Sequence, residues 1–223
     1  MKKIRKLPLK KSKDLEGMTK EEKVKQIISR LEKLFPGSKI ALNYSSPWEL
    51  FVAVVLSAQT TDKQVNVVTH DLFAKYKTLE DYVNTPLEEF QNDIKRIGLF
   101  RGKGKSIKLT ADIVYKSYSG KLPDSMEKLL ELPGVGRKTA NVLLGNIYGK
   151  SEGIAVDTHV KRLAKLFGLT DETDPNKIER DLMEITPKKD WFMITYLLID
   201  YGRKYCTARC KHTDCPLKNY IIK

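Results

Sequence analysis

The 223-residue chain reads as all-α. Three observations lead there. Apolar residues recur at i, i+3, i+4 and i+7 in one stretch after another, which lays them along one face of a helix. Several of these stretches open on a serine or aspartate able to cap a helix. No stretch alternates apolar and polar residues in the way a half-buried strand requires.

Residues 1 to 13 carry Lys2, Lys3, Arg5, Lys6, Lys10, Lys11 and Lys13. Such a run is a solvated tail or a weak, non-specific contact with a polyanion. It is too poor in arginine and serine for a mitochondrial presequence. From Thr19 to Phe35 a helix is expected, with Val24, Ile27, Ile28, Leu31, Leu34 and Phe35 as its apolar stripe, ended by Pro36-Gly37. Ser46-Pro47-Trp48-Glu49 is the next start: Ser46 caps, Pro47 fits the first helical position, and Glu49 completes a capping box. Trp48, Phe51, Val52 and Val55 then face a core. This helix runs into the polar Leu56-Ser57-Ala58-Gln59-Thr60-Thr61-Asp62, which on its own reads as a cap.

Asp71 to Glu89 reads as two short helices. Ile94 to Ile113 contains Ile97-Gly98-Leu99-Phe100-Arg101, where Leu99 reads as a core leucine after a glycine C-cap. Arg101, Lys103, Lys105 and Lys108 follow and either grip phosphates or are solvated. Asp124 caps another helix, with Glu127 completing a box. Leu129 to Leu144 then reads as helix, tight turn, helix. Pro133 breaks the first helix, and Gly134 and Gly136 permit positive φ. Ala140, Leu143, Leu144 and Ile147 make the second helix apolar on one face, with Lys138 on the other, near its start. Beyond Asp157, Val160, Leu163, Ala164 and Phe167 mark a further helix. Asp174-Pro175 opens one over Asn176 to Ile185, Pro187 breaks it, and Trp191 to Tyr201 is apolar enough for a buried helix.

Lysine and arginine number 41 against 28 aspartates and glutamates, a formal charge of +13. That excess suits a polyanion, either nucleic acid or an anionic membrane surface. No apolar run approaches the ~20 residues of a spanning helix, and no apolar segment follows the charged start as in a secretory signal. The three cysteines all fall between Cys206 and Cys215, which is no disulfide scaffold. An intracellular, reducing compartment, cytoplasm or nucleoid, is expected. The length allows one or two domains.

The glycine turn carries the functional argument. Glycines let a backbone approach a ligand closely, and helix N-terminal N–H groups then meet it with the positive dipole end behind them. A DNA phosphate is a natural guest; a plain helical hairpin would need the same glycines. The string Leu132-Pro133-Gly134-Val135-Gly136-Arg137-Lys138-Thr139-Ala140 resembles the helix-hairpin-helix motif of the endonuclease III family of DNA glycosylases. Ile154-Ala155-Val156-Asp157-Thr158-His159-Val160 resembles a second family segment, and similarity extends from about Leu42 to Arg209.

The resemblance implies two helical modules with a DNA-binding groove between them, one spanning 40–150 and the other combining 1–39 with 151–223. Lys138 and Asp157 would face each other across it. It further implies that Gln59 enters the gap left by an extruded base, where its amide offers donors and acceptors to the orphaned partner. Asp62 would line the base pocket, and Leu99 would be a wedge pushed into a base step. Gly134, Val135, Gly136 and Arg137 would hold the DNA backbone, and His159 would support them.

Lys138 is the implied nucleophile. A base inside the stack shields its sugar carbon, so the nucleotide must be extruded. Attack on C1′ needs a neutral amine, which nearby positive charge favours. Attack expels the base and leaves an imine, whose acidified C2′ proton permits elimination of the 3′ phosphate. Asp157 would offset positive charge on the sugar, and it is equally an N-cap for the helix from Thr158. Lys138, Gln59 and the Val156–His159 string are most similar to the oxidised-pyrimidine type, with thymine glycol as the implied lesion. The expected activity is that of a bifunctional glycosylase and AP lyase. An alkylated-purine enzyme and an inactive DNA-binding hairpin protein are the alternatives. The expected partner is damaged double-stranded DNA bound by a monomer, with no membrane.

Relatives hold a [4Fe–4S] cluster with four C-terminal cysteines. Here Gly202 to Arg209 matches the start of that loop, but the candidate ligands are Cys206, Cys210 and Cys215, and Ile221 stands where a fourth cysteine would fall. The expectation is therefore no cofactor required for the chemistry and a doubtful cluster. His212 or Asp214 as substitute ligand, or zinc with three cysteines and a histidine, are the alternatives. Arg203, Lys204 and Arg209 could bind DNA.

Overall fold

A computed structural model describes residues 17–222; the lysine-rich run at 1–13 lies outside them. Among the described residues the regular structure is α-helix and short 3-10 turns, with no strand. The chain divides into two compact units. One is Ala41–Glu152; the other joins Met1–Ile40 to Gly153–Lys223.

The unit Ala41–Glu152 is built around α2 (Pro47–Ser57), whose residues Leu50 to Leu56 are all buried. Its branched valines are poor helix formers in isolation; burial on every side overrides that preference. Ser46 Oγ accepts from Glu49 N (3.2 Å) as expected. Glu49, however, reaches back to Ser45, accepting from its N (2.6 Å) and Oγ (2.7 Å). Next come α3 (Asp62–Lys75), α4 (Leu79–Asn84) and α5 (Leu87–Asp93). Three helices thus occupy the span that periodicity divides into two, because α3 starts at once after the Thr61 cap. Tyr76, Tyr82, Phe90, Trp48 and Phe51 pack as an aromatic cluster that ties these helices to α2. Each such buried ring contributes roughly 1.5–3 kcal/mol.

Helix α6 (Phe100–Ser117) follows, burying Lys103, Gly104, Ile107, Thr110, Ala111 and Val114 along one stripe. Two lysines on this helix point inward, against both sequence readings. Lys103 Nζ donates to Leu56 O (2.8 Å) and Ala58 O (2.5 Å) at the end of α2, and to Thr60 Oγ1 (3.2 Å). Lys108 Nζ donates to Tyr82 O, Val83 O and Thr85 O at the end of α4. Each ammonium thus meets carbonyls that a helix C-terminus leaves unsatisfied. Burial pushes both pKa values down.

The unit closes with α7 (Met126–Leu130) and α8 (Arg137–Tyr148). Ser125, not Asp124, caps α7, accepting from Lys128 N (3.5 Å). Asp124 instead pairs with Lys150 (2.6 Å) just beyond α8, a solvated contact of little weight.

The second unit packs α1 (Lys20–Leu34) with α9 (Thr158–Leu166), α10 (Pro175–Ile185) and α11 (Trp191–Lys204). Thr19 and Glu22 form a reciprocal capping box on α1. Val24, Ile27, Ile28 and Leu31 deliver its stripe to a core shared with Leu163, Phe167, Leu182, Leu197 and Tyr201. The C-terminal segment folds onto the same core through Cys206, Cys215, Leu217 and Tyr220. Leu217 N donates to Tyr201 Oη (3.2 Å), and Tyr220 Oη donates to Gln26 Oε1 (3.0 Å).

Candidate nucleic-acid interface

In the unit Ala41–Glu152 the turn between α7 and α8 has the shape its sequence calls for at one glycine. Gly134 has φ +83°, and a Cβ there would lie 3.0 Å from Ser106 Cβ of α6. A side chain would therefore be strained and crowded. Gly136 is extended (φ −99°, ψ 177°) rather than positive in φ, and a Cβ on it would meet nothing. The fold does not demand a glycine there. It is the N-cap of α8 and offers no side-chain cap to the helix start. Val135 is buried and its N–H donates to Leu132 O (3.1 Å), whereas Lys138 is exposed one residue after Arg137. The turn is pinned to α6 by Thr110 Oγ1, which donates to Pro133 O (3.0 Å).

Two further positions stand out by backbone strain. Gln59 and Leu99 are non-glycine residues with positive φ, 54° and 59°, a conformation that costs roughly 1–2 kcal/mol per residue. Both are exposed; Leu99, at 64% accessible, is not a core leucine. Helix α6 links them. Leu99 is its N-cap, and Lys103 one turn on holds Ala58 and Thr60 on either side of Gln59. Asp62 is half-buried at the start of α3, next to the Thr61 cap. The sequence offers Lys103 as a phosphate grip or a solvated residue and does not reveal this bracing role. The one available signal was that Lys103 falls on the buried stripe of α6.

Replacing Lys103 with methionine keeps the length and removes the donor, leaving Leu56 O and Ala58 O unpaired. A buried acceptor left without its partner costs about 1–3 kcal/mol. The expected result is a loss of that size in chemical denaturation, together with severalfold weaker binding to lesion-containing duplex as the Gln59 turn loosens. Unchanged stability and affinity would show that the lysine holds nothing.

In the second unit, Asp157 Oδ1 accepts from Val160 N (2.8 Å) as the N-cap of α9. His159 is half-buried, and its ring lies against α11: a Cβ on Gly202 would come within 2.5 Å of His159 Nδ1. Arg162, one turn on, donates to Cys206 O (2.5 Å) and Cys206 Sγ (3.6 Å). Beyond Cys206, the donor atoms of Cys206, Cys210, His212 and Cys215 all lie within 4.8 Å of one another. Asp214 is exposed and accepts from Thr213 Oγ1. Burial pushes the Cys206 thiol up, and pushes that of Cys215 up to about 12, whereas the hydrogen bond with Cys215 lowers that of Cys210.

The fold and this set of exposed, helix-end features match a known class. Residues 52–188 fit the model of the HhH-GPD superfamily of base excision DNA repair proteins. The chain is 46% identical to endonuclease III of Bacillus subtilis over 201 residues, covering 87% of this chain and 90% of that one. It is 43% identical to endonuclease III of Synechocystis, covering 86% and 87%. A solved non-covalent endonuclease III–DNA complex superposes with a TM-score of 0.86 at 39% identity, over 92% of this chain and 96% of that one. A trapped endonuclease III–DNA covalent intermediate gives 0.85 at 40% identity, over 90% and 94%. The chain belongs to the endonuclease III family.

One sequence expectation is overturned. The expectation of no required cofactor and a doubtful cluster does not stand: the C-terminal loop gathers four metal-capable donors, and the endonuclease III family normally carries a [4Fe–4S] cluster. Ile221, standing where a fourth cysteine would fall, packs on the core instead. The fourth donor is His212, two residues after Cys210.

Proposed function

We infer that this chain is a bifunctional DNA glycosylase and AP lyase of base excision repair, removing oxidised pyrimidines of the thymine glycol type from duplex DNA. The observation that carries this is Lys138, exposed in the first turn of α8 beside an uncapped glycine turn, in a chain 40% identical to an enzyme trapped as a covalent intermediate with DNA. The amides after Gly136 bind a backbone phosphate, with the open space at Gly136 allowing close approach. Gln59 fills the gap beside the orphaned base, and Leu99 wedges the step; their strained, exposed backbones support roles that no buried residue could serve. Asp62 lines the base pocket, and Arg137 and His159 assist at phosphates.

The chemistry follows from the lone pair of the Lys138 amine. Its nitrogen lone pair forms a bond to C1′ as the bond from C1′ to the base breaks, and the base leaves with that electron pair and takes up a proton. Ring opening gives an imine. Loss of a C2′ proton then drives out the 3′ phosphate, so one amine performs both base release and strand cleavage. The Asp157 carboxylate offsets positive charge as it develops on the sugar. A DNA repair enzyme works inside the cell, and the nucleoid is the compartment proposed. Among the described residues, no helix is long and apolar enough to cross a membrane.

Borohydride trapping on a duplex carrying a single thymine glycol tests this reading. The expected result is a covalent adduct, base release and a 3′-cleaved strand, none of them on undamaged duplex. Base release without an adduct would make the enzyme monofunctional. Binding without either would make it an inactive hairpin protein, provided that an abasic duplex also fails to trap.

A further inference from the structure

We propose that Cys206, Cys210, His212 and Cys215 bind a single, tetrahedrally coordinated zinc ion in this chain. A [4Fe–4S] cluster is the group the family implies, so its fit comes first. In a cubane each ligand caps a different iron at the corner of a cube, and the ligands stand outside all eight core atoms. Here Cys210 Sγ and Cys215 Sγ are 3.0 Å apart, and His212 Nδ1 lies 3.5 Å from Cys206 Sγ and 4.0 Å from Cys215 Sγ. No pair of donors exceeds 4.8 Å. That volume does not admit a cubane.

It does suit one ion. Zinc–sulfur bonds of about 2.3 Å and zinc–nitrogen bonds of about 2.0 Å place tetrahedral donors roughly 3.5–3.8 Å apart, and the observed separations bracket that range. Three soft thiolates and an imidazole, with the nearby carboxylate of Asp214 turned to Thr213, form a zinc-type set.

Two features outside the donor atoms point the same way. His212 sits at φ 60°, a strained value for a histidine, and its backbone N–H donates to Cys210 Sγ (3.3 Å). That strain turns a backbone donor towards a sulfur as its ring comes into reach of two others. An amide on a sulfur is most favourable when the sulfur carries charge. Arg162 of α9 donates to Cys206 Sγ (3.6 Å). Three thiolates and a dication leave one net negative charge, which this guanidinium offsets. The ion would staple residues 206–215 to α9 and to the core beneath, a structural role for a closed four-ligand site. This proposal is independent of the glycosylase reading.

The test is composition after strictly anaerobic purification from cells supplied with both iron and zinc. The expected result is a single zinc per chain, no acid-labile sulfide and no visible absorption. Exchange with cobalt should give the intense visible bands of a tetrahedral thiolate site. His212→Ala should lose the stoichiometric metal and lower Tm, His212→Cys should restore both, and Ile221→Ala should leave the metal content unchanged. Four irons with four sulfides per chain would overturn the proposal. So would a metal-free protein with a Cys210–Cys215 disulfide, or full zinc retention by His212→Ala. If His212→Ala does not fold, zinc retention by His212→Cys decides on its own: a zinc-free, folded His212→Cys protein would overturn the proposal.

Discussion

Lys138→Gln is expected to abolish borohydride trapping and strand cleavage on a thymine glycol duplex while leaving the fold and DNA binding intact. The size of the effect follows from the role. Removing a group that itself forms the covalent bond costs roughly 10⁴–10⁶-fold in turnover. Position makes the result clean. Lys138 is exposed in the first turn of α8, so its replacement should change stability by less than about 0.5 kcal/mol. Glutamine keeps a polar end, and the hairpin amides proposed to bind phosphate are backbone groups that the substitution does not touch. Gel shift, single-turnover base release and trapping together separate the outcomes. Retained base release without trapping would remove Lys138 from the glycosylase step. Loss of binding in parallel with loss of activity would make it a phosphate contact instead.

What could be read in the sequence and what could not divides along physical lines. Helix starts were legible where a cap acts on its own helix: Thr19, Ser46, Asp157 and Asp174 all accept from amides two or three residues on. Asp124 was misread because Ser125 competed one residue away, and choosing between two adjacent caps depends on where the chain enters the helix. The hairpin was legible because a proline and two glycines can do little else locally. Lys103 and Lys108 were not. The partners of Lys103 are two carbonyls and a hydroxyl 43–47 residues distant and those of Lys108 are carbonyls 23–26 residues distant, and nothing local distinguishes a buried lysine from a solvated one. His212 was legible as one of two substitute ligands, but the sequence could not choose between it and Asp214. The choice depends on the backbone at His212, which turns through positive φ and closes the set inside a short loop, whereas Asp214 stays exposed. The strain at Gln59 and Leu99 was likewise invisible, since it is imposed by what α6 holds rather than by the residues themselves.

Asp157 has two roles that substitution can separate. As the N-cap of α9 it accepts from Val160 N at 2.8 Å; as a carboxylate it would stabilise positive charge on the reacting sugar. Asparagine caps a helix about as well as aspartate, whereas alanine does not. Asp157→Asn should therefore keep Tm close to wild type yet reduce single-turnover base release by about 10²–10³-fold, the scale on which a preorganised electrostatic partner acts. Asp157→Ala should show the same kinetic loss plus about 1 kcal/mol of destabilisation in chemical denaturation. The stability difference between the two variants isolates the cap, and the kinetic loss they share isolates the charge. If Asp157→Asn turns over normally while Asp157→Ala is impaired and unstable, the aspartate acts as a cap alone. The charge that assists the sugar would then have to come from another group.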